Sequence, residues 1–136
     1  MNILIDINVL LDILQRRAPF FEDSYQALHK AIENNVACFI SASAATDIFY
    51  ILRKSLGSTK QAKKQIEQLA QLVSFADVQG IDIHAALMRP MSDFEDAVTD
   101  AVAERIGASH ILTRNVKDFT ASIVPTILPA DFVNLF

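Results

Sequence analysis

Near its start the chain carries an unbroken apolar run, Ile3-Leu4-Ile5, that stops on a carboxylate, Asp6, and continues as Ile7-Asn8-Val9-Leu10-Leu11-Asp12. No polar residue interrupts the run, which is the pattern of a strand buried on both faces of a parallel sheet. Parallel neighbours need long crossovers, normally helices, so this stretch restricts the chain to an α/β architecture. In open sheets of that class, ligands bind outside the carboxyl ends of the strands. Asp6, at the end of this strand, therefore either helps cap the next helix or enters a reaction site. Asn8 reads as the N-cap, with Val9, Leu10, Ile13 and Leu14 at helical spacing behind it.

The rest of the chain alternates strand and helix signals. A helix is expected from about Glu22 to Asn34, with Tyr25, Leu28 and Ile32 three and four apart. Val36 to Ile40 is a second strand, and Ser41-Ala42-Ser43 opens a helix that reaches Leu56 and stops at Gly57. A further helix runs from Thr59 to about Val73. Leu72 to Phe75 reads as a third strand and Asp77 to Leu87 as a short helix. The pattern is strongest from Asp93 to Ile106, with acids in the first turn and Gly107 as its stop. His110 to Thr113 is a fourth strand. Ile123 to Leu128 is a fifth, demoted to an edge by Pro125, before a short helix from Asp131. These elements predict one domain over residues 1–136, a three-layer α/β/α sandwich around a central parallel sheet of four to five strands.

Composition adds bounds. The 136 residues are 51% hydrophobic with only 3 glycines, which fits a packed globule, and the net charge of −4 argues against indiscriminate binding to a phosphate backbone. Arg53, Lys54, Lys60, Lys63 and Lys64 nevertheless gather around one turn, as a solvated face or as a contact for an acidic partner or nucleic acid. The lone Cys38 lies in an apolar strand and reads as a buried hydrophobe in a reducing compartment. The longest nearly apolar stretch, Val36 to Ala45, is shorter than the ~18 residues of a membrane span. With no signal-peptide pattern at the start, a cytoplasmic location is expected.

Four loci bring acids or amides to strand ends or helix starts: Asp6; Asp47 in the helix after the second strand; Asp93, Glu95, Asp96 and Asp100 at the start of the strongest helix; and Thr113-Arg114-Asn115-Val116-Lys117-Asp118 after the fourth strand. Each has an ordinary explanation by itself. First-turn acids complement a helix dipole, which accounts for Asp93 and Glu95 and accounts poorly for Asp100. Asn and Asp favour turns. An acid among Ala44, Ala45, Ile48 and Phe49 either faces solvent or meets a cation. Together, however, the loci can project to one carboxyl edge, where like charges repel unless a cation sits among them. Hard oxygen donors without clustered His or Cys select Mg²⁺ or Mn²⁺ over zinc, and phosphodiester hydrolysis is the chemistry such a site serves.

The ordered set Asp6-Ile7-Asn8-Val9-Leu10-Leu11-Asp12, Ser43-Ala44-Ala45-Thr46-Asp47-Ile48-Phe49-Tyr50, Asp93-Phe94-Glu95-Asp96-Ala97 and Thr113-Arg114-Asn115-Val116-Lys117-Asp118-Phe119 resembles the PIN-domain family, the fold of VapC-type toxin ribonucleases. The resemblance implies that Asp6 and Asp96 hold one or two Mg²⁺ or Mn²⁺ ions for cleavage of RNA, with Asp47 and either Asn115 or Asp118 assisting. It places Asn8 and Thr113 as hydrogen-bonding support, Arg114 and Lys117 at flanking phosphates, and Asp100 beside Asp96 in a supporting role. Two positions depart from the family pattern: Asp47 stands where a glutamate is usual, and Asn115 where an acid often follows the Thr-Arg pair. A homodimer and a small antitoxin partner are also implied. Two other readings stand beside this one. The departures fit a non-catalytic RNA- or protein-binding module with a weakened metal site. A Mg²⁺-dependent phosphotransfer domain also places acids at a strand end, although Asn8 and the lack of a late Lys-Pro pair fit it badly.

Overall fold

The structure, a computed structural model, describes all 136 residues. Its centre is β1 (Asn2–Ile5), whose Ile3, Leu4 and Ile5 are almost wholly buried, as an uninterrupted apolar strand requires. β1 is flanked on one side by β2 (Ala37–Ser41) and then β3 (Ser74–Ala76), and on the other by β4 (His110–Leu112) and then β5 (Thr126–Ile127). All pairings are parallel. Successive strand residues face opposite sides, so Ile3 and Ile5 enter one core and Leu4 the other. The larger core packs Ile3, Ile5 and Ile40 against α1 (Ile7–Leu14), α2 (Phe21–Glu33), α3 (Ala42–Leu56), α4 (Thr59–Leu69) and Phe132 of α7 (Pro129–Val133). The smaller packs Leu4 and Ile111 against Ala103 of α6 (Phe94–Arg105) and Phe119. With α5 (Gly80–Leu87) lying on α6, this is the expected α/β/α sandwich, with five strands.

Local chemistry explains the element ends. Ser41 Oγ caps α3 by accepting from the Ala44 N–H, Ser58 Oγ caps α4 by accepting from the Gln61 N–H, and Gly57 closes α3 in the left-handed conformation at φ 67°. Several boundaries differ from expectation. Asp6, not Asn8, is the N-cap of α1, because the Asp6 backbone is still extended (φ −66°, ψ 143°) and the helix begins at Ile7. Pro125 confines β5 to two residues. α7 starts at Pro129 instead of Asp131, proline being well suited to a first helical position. β3 begins later than expected, at Ser74, and α4 ends earlier, at Leu69. Residues Val116–Phe119 form a 3₁₀ turn that the sequence pattern did not signal.

Candidate active site

Sheet register sets the position of Asp6. Ile5 pairs with Leu112, and the Asp6 N–H still donates to the Leu112 carbonyl at 2.9 Å. One step beyond, Asp6 and Thr113 stand side by side. The Thr113 hydroxyl donates to Asp6 Oδ2 at 2.9 Å while accepting from the Asn115 N–H at 3.0 Å. Both side chains are buried. Burial disfavours the charged form and pushes Asp6 above the usual carboxylate range. Asp118 adds to that rise. The Thr113 hydroxyl, the Ile7 N–H and the Arg114 cation oppose it.

Asp96 comes from α6, which packs on the smaller-core side of the sheet. Asp93 Oδ1 accepts the Asp96 N–H at 3.0 Å, capping α6 and fixing Asp96 in its first turn. Burial first, and then the charges of Asp93, Asp6, Asp118 and Glu95, push its carboxyl up from 3.8 to about 7. Asp96 thus feels Asp6 and Asp118, and Asp6 feels Asp118, as like charges brought toward one sheet edge do. A cleft of ≈ 330 Å³ opens there, lined by Asp6, Ser43, Asp47, Glu95, Asp96 and Thr99 among others. Asp47 reaches it from α3 as an exposed side chain. Asp118 lies on the exposed 3₁₀ turn, outside the cleft lining, and acts on it through its charge.

The donor set is oxygen throughout, which suits a hard divalent cation. No three His, Cys, Asp or Glu side chains stand close enough together to enclose an ion. Two carboxylates suffice for Mg²⁺, which keeps several of its waters, so Asp6 and Asp96 with water fit such an ion where an all-protein cage is absent. The charges of Asp6 and Asp118, which add to the rise that burial imposes on Asp96, point the same way, because a cation relieves such repulsion.

Arg114 is engaged elsewhere. Its Nε donates to Asp12 Oδ2 at 2.9 Å and its Nη2 to Asp12 Oδ1 at 3.3 Å, while the Phe20 ring lies 4.1 Å from the guanidinium carbon.

The family model of the PIN domain matches residues 2–117. This chain belongs to the PIN-domain family. Ribonuclease VapC1 of Aquifex aeolicus (strain VF5) is 22% identical over 136 residues, covering 96% of this chain and 92% of that protein. Among solved structures, VapBC2 from Rickettsia felis bound to a promoter DNA fragment aligns with a TM-score of 0.74 at 14% identity, over 94% of this chain and 98% of that one. VapC20 of Mycobacterium tuberculosis, described as a sarcin-ricin loop cleaving toxin, aligns with a TM-score of 0.62 at 15% identity, over 80% and 86%. At these identities the structural likenesses carry the fold, and the family match sets aside the phosphotransfer reading.

Within this PIN domain the expected residues divide. Asp6, Asp47 and Asp96 meet at the cleft, Thr113 holds Asp6, and Asp118 contributes charge. Asn8 is half-buried in the first turn of α1, Asn115 immediately precedes the 3₁₀ turn without a side-chain capping bond, and Lys117 is exposed on it. Two expectations need correction. Arg114 is not a free cation waiting for phosphate, since its fork is spent on Asp12. Asp100 does not support Asp96: fully buried one turn further on, it accepts the Ile123 and Val124 N–H groups at 2.9 and 3.0 Å and lies 3.1 Å from Arg89 Nε. That last contact is Coulombic, since Arg89 Nε makes no hydrogen bond. Sequence reasoning missed Glu95, Ser43 and Thr99 in the cleft, and Asp12. The signal for Asp12 was present: an acid inside Val9-Leu10-Leu11-Asp12-Ile13-Leu14 demands a cation, by the same argument raised for Asp47.

Proposed function

We propose that this PIN domain is a Mg²⁺- or Mn²⁺-dependent endoribonuclease, the toxin of a toxin–antitoxin pair. The observation that carries the reading is that Asp6 and Asp96 line one cleft at the carboxyl edge of the sheet, where burial first, and then the charges of Asp93, Asp6, Asp118 and Glu95, raise the Asp96 carboxyl to about 7. When bound, the cation lowers the pKa of its water and offsets charge on the phosphate oxygens. Asp6 and Asp96 would hold it, and Asp47, which lines the same cleft, would reach it through water. Thr113 keeps Asp6 oriented by donating to one of its oxygens. The cleft beside these carboxylates supports a phosphodiester substrate approaching the cation.

The partner part of the proposal rests on other surfaces. A groove of ≈ 440 Å³ between α3 and α4, lined by Ala45, Phe49, Tyr50, Lys63, Ile66 and Glu67, supports docking of a small antitoxin, beside the cations of the neighbouring turn. Toxin–antitoxin complexes among the structural likenesses, such as that from Klebsiella pneumoniae (TM-score 0.66, 20% identity), support the same reading. Exposed Ile81, Leu87 and Met88 support a homodimer. No helix is long and apolar enough to cross a membrane. A cytoplasmic location is supported by the lone Cys38, which is free.

The test is incubation of purified protein with a mixed pool of structured RNAs, with Mn²⁺ or with chelator. Cleavage confined to the Mn²⁺ samples is expected. The second reading, a non-catalytic binding module, is favoured by the lack of three ligands at enclosing distance. Mn²⁺ binding without cleavage of any RNA selects it.

A further inference from the structure

Thr113 and Arg114 are consecutive, and they grip α1 at two points. Thr113 reaches Asp6 at the start of α1, and Arg114, in the bend that follows β4, reaches Asp12 six residues further along it. The two contacts span 107 and 102 residues of sequence. The second is built with care for a charge pair. Asp12 is 0% exposed, two guanidinium nitrogens meet its two oxygens, Ser24 Oγ donates to it at 3.3 Å, and Phe20 covers the guanidinium. A two-pronged planar contact of this kind fixes orientation as well as charge. Two residues past Arg114 begins the 3₁₀ turn that carries Asp118. If Arg114 swings away, the loop that holds the Thr113 hydroxyl on Asp6 and carries Asp118 loses its tie to α1.

We propose that Asp12 and Arg114 form an internal brace, with Arg114 a positioning residue that holds the Thr113–Asp6 contact and the Asp118 turn in register. The proposal rests on Asp6 and Asp96 being the cation-binding pair, and it assigns Arg114 to the protein's own carboxylate and not to RNA phosphate. Lysine at position 114 keeps the charge and cannot reproduce the fork, which separates geometry from charge. An apolar replacement of both partners, Asp12→Leu with Arg114→Met, removes the pair without stranding a buried ion and so preserves the fold.

Three readouts test it in both variants: Mn²⁺ affinity by calorimetry; affinity for a labelled single-stranded RNA in chelator across a salt series; and hydrogen exchange of the Asn115 amide, which Thr113 Oγ1 holds. The brace predicts Mn²⁺ affinity weaker by about 10 to 100-fold. It predicts Asn115 exchange faster by about tenfold or more while β1 amides keep their protection, and RNA affinity and salt slope equal to wild type. Unchanged Asn115 exchange overturns the brace. So does a salt slope shallower by roughly 0.7 in the apolar double variant, the loss of one phosphate contact on a single strand. Should wild type bind no Mn²⁺, the cation reading of Asp6 and Asp96 fails separately, and Asn115 exchange still decides the brace.

Discussion

Replacing Asp96 by asparagine should make the metal-free protein more stable, and only above a particular pH. The carboxyl rises from 3.8 to about 7 in the folded protein because burial and the charges of Asp93, Asp6, Asp118 and Glu95 oppose its ionisation. A carboxyl whose folded value exceeds its unfolded value contributes stability that is fully present below the unfolded value and lost as pH rises through the folded one. Wild type should therefore lose stability between about pH 4 and pH 7, then level off. At about 1.4 kcal/mol per pH unit the full rise corresponds to roughly 4 kcal/mol, and solvent screening of this half-buried group halves it to about 2. Asp96→Asn never ionises and escapes that loss. Guanidinium unfolding in chelator at pH 4, 6 and 8 reads the difference: about zero at pH 4 and about 2 kcal/mol in favour of Asp96→Asn at pH 8. Saturating Mn²⁺ at pH 8 should reverse the order, since only wild type retains both ligands, and a hundredfold excess over Kd adds about 2.7 kcal/mol. A stability gap that stays constant from pH 4 to 8, or that favours wild type in chelator, refutes the claim that the carboxylates crowd one another.

Other perturbations separate the cleft from its frame. Asp100→Ala takes one of two carboxylate partners from Arg89, whose Nη2 keeps Glu104, and frees two backbone N–H groups, so chemical denaturation should show a loss of about 2 to 5 kcal/mol with Mn²⁺ affinity of the folded protein unchanged. Asp47→Glu lengthens a cleft-lining acid by one methylene and should keep or raise Mn²⁺ affinity, whereas Asp47→Ala should lower affinity or cleavage about 10 to 100-fold; wild-type behaviour of Asp47→Ala in both assays removes it from the site. Reversing Lys60, Lys63 and Lys64 to Glu should weaken binding to an acidic peptide or RNA and flatten its salt dependence without moving the melting temperature, and an unchanged salt series leaves these cations as a solvated face.

The fold was legible where burial writes directly into sequence. Ile3-Leu4-Ile5 had to be a central strand, and Ser41, Ser58, Asp93 and Gly57 mark their helix ends through hydrogen bonds or backbone geometry that few other residues provide. Asp6 and Asn8 are both good caps, and only the β1–β4 ladder, whose last bond runs from the Asp6 N–H to Leu112, decides between them. Asp6, Asp47 and Asp96 were legible as a set because an α/β sheet sends its strand ends and following helix starts to one edge. Partner choice was not legible. Asp100 and Asp96 share a helix and are four residues apart, but Asp100 is committed to the Ile123–Val124 backbone and Arg89, contacts that depend on how the chain returns to β5. Arg114 looked free because its partner lies 102 residues away, and local spacing carries no information at that range. Glu95 was absorbed by the helix-dipole explanation, which is sound for a first-turn acid and silent about the cleft beside it.

The central claim is that Asp6, at the end of the central strand, and Asp96, in the first turn of α6, form one divalent-cation site. Calorimetric titration of Mn²⁺ into wild type, Asp6→Asn and Asp96→Asn at pH 8 addresses it most directly. One Mn²⁺-binding event in wild type, weakened at least about tenfold by either single substitution, is the predicted result. Equal Mn²⁺ affinity in all three proteins would contradict it.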